Sequence, residues 1–181
     1  MTVFVCGGAK NGKSSFAQDL AVKLAKGGRH YYVATMIPSD EEDRERIRKH
    51  LDDRDGLGFE TIECGRNILS CLEKAKKDAT FLLDSVTALL MNELFQDPAD
   101  GKTDTDAACR CADDLATFAQ SVGNAVFVSD YIYSDAARYD ETTEAFRAGL
   151  AAIDRRLAAV CDTVVEATAG NFIVHKGEAL P

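Results

Sequence analysis

Between a short apolar run and the first helical repeat, the chain carries Gly7-Gly8-Ala9-Lys10-Asn11-Gly12-Lys13-Ser14. This satisfies G-x4-G-K-[S/T], a pattern that has physical content only where a strand precedes it and a helix follows. Both flanks are present. Residues 2–6 are strand-like and apolar, and Phe16, Leu20 and Leu24, with Ala17 and Ala21 beside them, recur at helical spacing. Gly27-Gly28 then stops the helix. Glycines let backbone N–H groups turn inward around phosphate oxygens, and the helix adds its positive end. Lys13 supplies a point charge to the β- and γ-phosphates, and the Ser14 hydroxyl is a ligand for Mg²⁺. The competing reading is a glycine-rich turn that merely joins a strand to a helix.

The remaining chain repeats the alternation. Strands are expected at 31–35, 59–64, 81–84, 125–129, 163–167 and 172–175. Helices are expected at 40–51, 66–77, 86–96, 105–122 and 141–160. Ser39 with Glu42 has the capping-box spacing for the helix that starts at Asp40. Loops fall at 52–58 and 97–104, and an irregular or short helical connection at 130–140. Ala169-Gly170-Asn171 reads as a hairpin turn. Strands alternating with helices imply an α/β fold of P-loop NTPase type. A mostly parallel central sheet is flanked by helices, with an antiparallel edge at the C-terminus.

Composition narrows the class further. The 181 residues are 46% hydrophobic and 28% charged, as expected of one domain with a full-sized core over 1–181. No apolar run reaches the ~18 residues of a membrane span, and the first residues lack the basic start of a signal peptide. Six cysteines, at 6, 64, 71, 109, 111 and 161, lie without a CxxC pair, so reduced thiols in a cytoplasmic protein are expected. Cys109-Arg110-Cys111 is too tight for the usual zinc spacing. The net charge of −9 argues against nucleic acid and anionic membrane as partners.

Two further residues carry candidate chemistry. A phosphate loop needs an acid at the end of a neighbouring buried strand, to meet Mg²⁺ directly or through water. Asp84, after Phe81-Leu82-Leu83, fits that description. The competing reading is a cap for the helix that follows, and Asp130, after Val126-Phe127-Val128-Ser129, is a weaker rival. His50 lies near the end of a polar helix, with Arg46 one turn before it and Lys49 beside it. A surface helical histidine is ordinarily bland, and His30 and His175 are expected to be structural or solvated.

Resemblance adds to the His50 reading. Val5-Cys6-Gly7-Gly8-Ala9-Lys10-Asn11-Gly12-Lys13-Ser14 is similar to the V-T-G-G-A-R-S-G-K-S of the bifunctional adenosylcobinamide kinase / adenosylcobinamide-phosphate guanylyltransferase family of cobalamin biosynthesis. Tyr32-Val33-Ala34-Thr35 resembles its Y-I-A-T strand. Asp40 and Glu42, then Arg46-Ile47 and His50, resemble its D-x-E-M-x-x-R-I-x-x-H helix. Arg54 with Thr61-Ile62-Glu63, Leu82-Leu83-Asp84-Ser85 with Asn92, and Phe146-Arg147 extend the likeness through nearly the whole length.

The resemblance implies that His50 is a nucleophile that takes GMP from GTP, while adenosylcobinamide and its phosphate are the acceptors. It implies GTP or ATP as donor, with Mg²⁺ held by Ser14 and Asp84. Ala34, Thr35, Met36, Leu51, Asp52, Asp53, Arg54, Glu63 and Asp84 would then line the guanine nucleotide site, together with the 7–14 loop. It also implies a homo-oligomer, a trimer, with the His50 helix at an intersubunit site. The chain departs from the family pattern at Lys10-Asn11, Asp55 and Phe59. T-N-E-V-G becomes Ser129-Asp130-Tyr131-Ile132-Tyr133, and N-Q becomes Asp154-Arg155. Two other classes compete: a small-metabolite P-loop kinase without a covalent intermediate, and a non-catalytic nucleotide-binding regulatory module. No N-K-x-D guanine motif is present.

Overall fold

The computed structural model describes residues 1–96, 103–134, 136–178 and 180–181. Most of the loop expected at 97–104 therefore lies outside the described residues. Seven strands form one sheet: β1 (Thr2–Gly7), β2 (His30–Ala34), β3 (Glu60–Glu63), β4 (Thr80–Asp84), β5 (Asn124–Asp130), β6 (Thr163–Thr168) and β7 (Asn171–Lys176). Their order is β3-β2-β4-β5-β1-β6-β7. All pairs are parallel except β6 with β7, so the α/β class and the antiparallel C-terminal edge are as expected. Five α-helices connect them: α1 (Lys13–Ala25), α2 (Glu41–Asp53), α3 (Val86–Leu94), α4 (Ala107–Ser121) and α5 (Glu141–Val160).

Strand alternation divides the core into two layers. Val3, Val5, Tyr32, Leu82, Val126, Val128 and Val165 point to one face, where Ala17, Leu20, Ala21 and Leu24 of α1 cover them. Phe4, Tyr31, Val33, Phe81, Leu83 and Phe127 point to the other, under α3, α4 and α5. The strands read as unbroken apolar runs because a parallel sheet is buried on both sides. Phe118 of α4 sits edge-on to both Phe81 and Phe127, which locks the larger layer. Among the described residues, no helix is long and apolar enough to cross a membrane.

Two sequence expectations need correction. The helix expected over 66–77 is instead a short 3-10 helix, Ile68–Glu73. Tertiary anchors override its helical propensity. Arg66 donates to the carbonyls of Asn92, Phe95 and Gln96, Asn67 takes a left-handed φ of 48°, and the Cys64 thiol faces the carbonyls of Arg66, Asn67 and Ile68. The cap of α2 is Asp40 rather than Ser39. Asp40 Oδ1 accepts from the Asp43 N–H at 2.9 Å, while Asp43 Oδ2 accepts from the Ser39 N–H and hydroxyl. Aspartate is as good a cap as serine, so the motif closes one residue later and α2 begins at Glu41. Glu42 pairs instead with Arg46, at 2.7 Å. The connection after β5 has no regular structure among its described residues. All six cysteines are free thiols.

Candidate active site

The phosphate loop leaves the end of β1 and enters α1. Gly12, the N-cap, has φ 79° and Lys10 has φ 60°, both left-handed, which turns the loop back on itself. Gly7 is required for another reason. A Cβ there would stand 2.4 Å from the Ala167 carbonyl oxygen of β6, too close for any side chain. Asn11 Nδ2 donates to that same oxygen at 3.4 Å and ties the loop to β6. Lys13 is buried, and its Nζ donates to the Gly8 carbonyl at 2.6 Å and pairs with Asp130 Oδ1 at 2.7 Å.

Strand order decides which acid meets which partner. β5 lies between β1 and β4, and its register puts Asp130 beside Gly7. Asp84 ends β4, one strand further out; its carboxylate accepts from Tyr32 Oη at 3.1 Å and lies near enough to the Ser14 hydroxyl to be stabilised by it. Burial pushes the Asp84 carboxyl above the usual range. The His50 side chain and the Ser14 and Tyr32 hydroxyls oppose that shift, and the nearby Asp130 charge adds to it. Burial likewise pushes the Tyr32 phenol up. The cap of α3 is Ser85, whose side chain accepts from the Ala88 N–H, so Asp84 is not spent on capping. A serine hydroxyl against a carboxylate is an oxygen-donor set of the kind Mg²⁺ takes, and it fits the metal the loop implies.

His50 is brought over this floor by α2, a helix that buries no side chain of its own. Its anchor is Arg54, 7% exposed. The Arg54 guanidinium stacks 4.0 Å above the Tyr32 ring and donates to the His50 carbonyl at 2.8 Å and to Thr61 Oγ1 at 3.2 Å. The His50 imidazole is close enough to Asp84 to act on its charge, and its Nδ1 is buried without a hydrogen-bond partner among the described residues.

Loop, floor and helix enclose a cleft of about 1290 Å³. That is ample for a nucleotide, since ordinary small-molecule sites run to ~300–1,000 Å³. Ala9, Lys10, Asn11, Gly12, Lys13, Ser14, Ala34, Met36, His50, Leu51, Asp53, Arg54, Glu63 and Asp84 line it, all expected from the sequence. Gly7, Gly8, Thr35 and Asp52 do not. Gly7 and Gly8 form the back of the loop, and Asp52 is exposed outside the cleft. Thr35 is fully buried, and its hydroxyl donates to the Ser85 carbonyl and accepts from the Ser85 N–H, both at 2.7 Å. Asn92 supports the same wall, with Nδ2 donating to the Thr35 and Gly65 carbonyls at 2.8 Å.

Sequence reasoning missed Tyr32 and Thr61 as contacts of Asp84 and Arg54. It also missed the pairing of Asp130 with Lys13. Each depends on which strands are neighbours, and no local pattern encodes that.

Known proteins resemble this chain in sequence and in fold. The sequence profile of a family described as cobinamide kinase / cobinamide phosphate guanyltransferase matches residues 3–174. The bifunctional adenosylcobalamin biosynthesis protein CobU of Salmonella typhimurium (strain LT2) is 30% identical over 176 residues, covering 91% of this chain and 93% of that protein. Among solved structures, one described as an ATPase domain superposes with a TM-score of 0.56 at 13% identity, over 99% of this chain and 78% of that one. A prototypical ATPase from the type III secretion system of pathogenic bacteria gives 0.55 at 12% identity, over 93% of this chain and 51% of that one. These two likenesses are of fold alone, and they agree with the mostly parallel α/β sheet described above.

Proposed function

Because the chain belongs to the cobinamide kinase / cobinamide phosphate guanyltransferase family, we propose that it phosphorylates the aminopropanol hydroxyl of adenosylcobinamide and then transfers GMP from GTP to adenosylcobinamide phosphate through a covalent His50–GMP intermediate, giving adenosylcobinamide-GDP. The observation that carries this reading is the single cleft shared by the phosphate loop and His50. A nucleotide whose phosphates rest on the loop has the imidazole facing it from α2.

The chemistry follows from the groups in the cleft. The loop N–H groups and Lys13 hold the phosphates in line. For guanylyl transfer, an imidazole nitrogen of His50 attacks the α-phosphorus of GTP, and the bond to the bridging oxygen breaks, releasing pyrophosphate. An oxygen of adenosylcobinamide phosphate then attacks the same phosphorus, and the P–N bond breaks to return the free imidazole. Arg54 holds the end of α2 so that the imidazole stays over the floor. Mg²⁺ held by Ser14 and Asp84 would offset phosphate charge. For the kinase step, either GTP or ATP fits a loop that reads only the polyphosphate.

The test is direct. The protein is incubated with Mg²⁺ and GTP labelled at the α-phosphorus. Acid-labile, base-stable label is expected on the wild-type chain and none on His50→Ala. A wild-type chain that binds GTP and takes no label removes the covalent intermediate.

A further inference from the structure

We propose that Asp130 is the carboxylate that takes the proton from the acceptor hydroxyl during phosphoryl transfer, an inference that rests on the kinase activity proposed above. Phosphoryl transfer to an alcohol needs a group positioned to receive that proton, beside the γ-phosphorus. The lysine of a phosphate loop reaches the β- and γ-phosphates. The carboxylate that touches Lys13 Nζ at 2.7 Å therefore shares that ammonium with the place where the γ-phosphoryl group departs.

The other acid of the floor is already committed. Asp84 receives the Tyr32 hydroxyl at 3.1 Å and lies beside the Ser14 hydroxyl. Asp130 has a third of its side chain open to the cleft, and its backbone N–H is held by Thr87 Oγ1 at 3.0 Å, which fixes the end of β5. Two carboxylates in unlike surroundings are the arrangement that separates a metal-side role from a proton-accepting one.

The ion pair need not break when nucleotide binds. An ammonium has three donors, and Lys13 directs two of them to Gly8 and Asp130, leaving one for phosphate. The neighbouring Tyr131 is turned away to Glu166, whose Oε1 accepts from its hydroxyl at 3.0 Å.

In the step itself, the acceptor oxygen bonds to the γ-phosphorus as its proton passes to the Asp130 carboxylate. The bond from that phosphorus to the β–γ bridging oxygen breaks, and the nucleoside diphosphate leaves. Asp130 then gives the proton to water. The charged groups that act on Asp130 are Lys13 from α1, Asp84 from β4 and Asp154 from α5.

The experiment compares wild type with Asp130→Asn and Asp130→Ser, with cobinamide as acceptor and ATP or GTP as donor. The expected kcat falls on the order of 10²-fold or more, with KM for nucleotide within about threefold of wild type. The decline of the wild-type kcat on the acid side of its pH profile disappears in both variants, a change that a purely structural role would not produce. A folded variant that keeps wild-type kcat overturns the proposal. So does a variant whose nucleotide affinity falls in step with its rate, because the carboxylate would then serve only to place Lys13. If Asp130→Asn does not fold, Asp130→Ser decides, and the wild-type acid limb must still be present. A wild-type protein that phosphorylates no cobinamide overturns the kinase reading, and the role of Asp130 with it.

Discussion

At the scale of single residues, Asp154 on α5 shows how burial sets chemistry. It is 4% exposed, and its Oδ2 accepts from Tyr133 Oη at 2.9 Å. Its Oδ1 and the Ser129 hydroxyl oxygen are both buried without a close partner among the described residues, although the Ser129 hydroxyl lies near enough to favour the carboxylate. Loss of water pushes the carboxyl up from 3.8 to about 6, against the two hydroxyls and with help from Asp130. The folded chain thus holds a proton between these values that the unfolded chain has released. The stability linked to this group is complete below the unfolded value and is lost as pH rises through about 6. Asp154→Asn removes the titration, and its amide can donate towards Ser129 while its oxygen still accepts from Tyr133. Its unfolding free energy at neutral pH is expected to rise by roughly 1–3 kcal/mol, with a shallower slope across the acid window, in urea melts at several pH values. A variant no more stable than wild type at neutral pH would show that Asp154 is held charged without cost.

At the scale of elements, α2 is a polar helix held in place at its two ends. Three acids in its first turn and the Asp40 cap stabilise the start, and Arg54 fastens the end to β2 and β3. Lysine at 54 keeps the charge but loses the planar fork that stacks and bridges at once. Arg54→Lys is expected to slow labelling of His50 by up to about 10²-fold, from a displacement of the imidazole of an ångström or so. It should lower global stability by only ~1 kcal/mol. Labelling at the wild-type rate would remove Arg54 as the anchor. These elements also show what is legible from sequence. β1, β4 and β5 announce themselves as apolar runs, and the phosphate loop by its glycines and lysine. The 3-10 helix at Ile68–Glu73 does not, because Arg66 and Cys64 fix it by contacts with distant carbonyls rather than by periodicity. The wall formed by Tyr32, Arg54 and Thr61 is equally silent, since it requires knowing that β2 lies between β3 and β4.

At the scale of the whole molecule, the sheet order brings the chemistry together. Inserting β5 between β1 and β4 puts Asp130 against Lys13 and leaves Asp84 with Tyr32, so the C-terminal ends of two central strands carry two acids with separate partners. The net charge of −9 is no obstacle to a polyphosphate there, because the loop, Lys13, Arg46, Lys49 and Arg54 make the local field of the cleft positive. The bareness of α2, which buries none of its side chains, has a consequence for cooperativity. Very little of the hydrophobic free energy of folding passes through that helix, so it can melt while the sheet stays intact. In hydrogen exchange, amides of 44–53 should therefore lose protection through local opening, orders of magnitude faster than those of β4 and β5. Exchange of both at one common rate would mean a single cooperative unit. His50 would then ride on a segment whose order is supplied largely by what it binds, making amide protection of α2 a ligand-dependent quantity while that of β4 is a property of the chain alone.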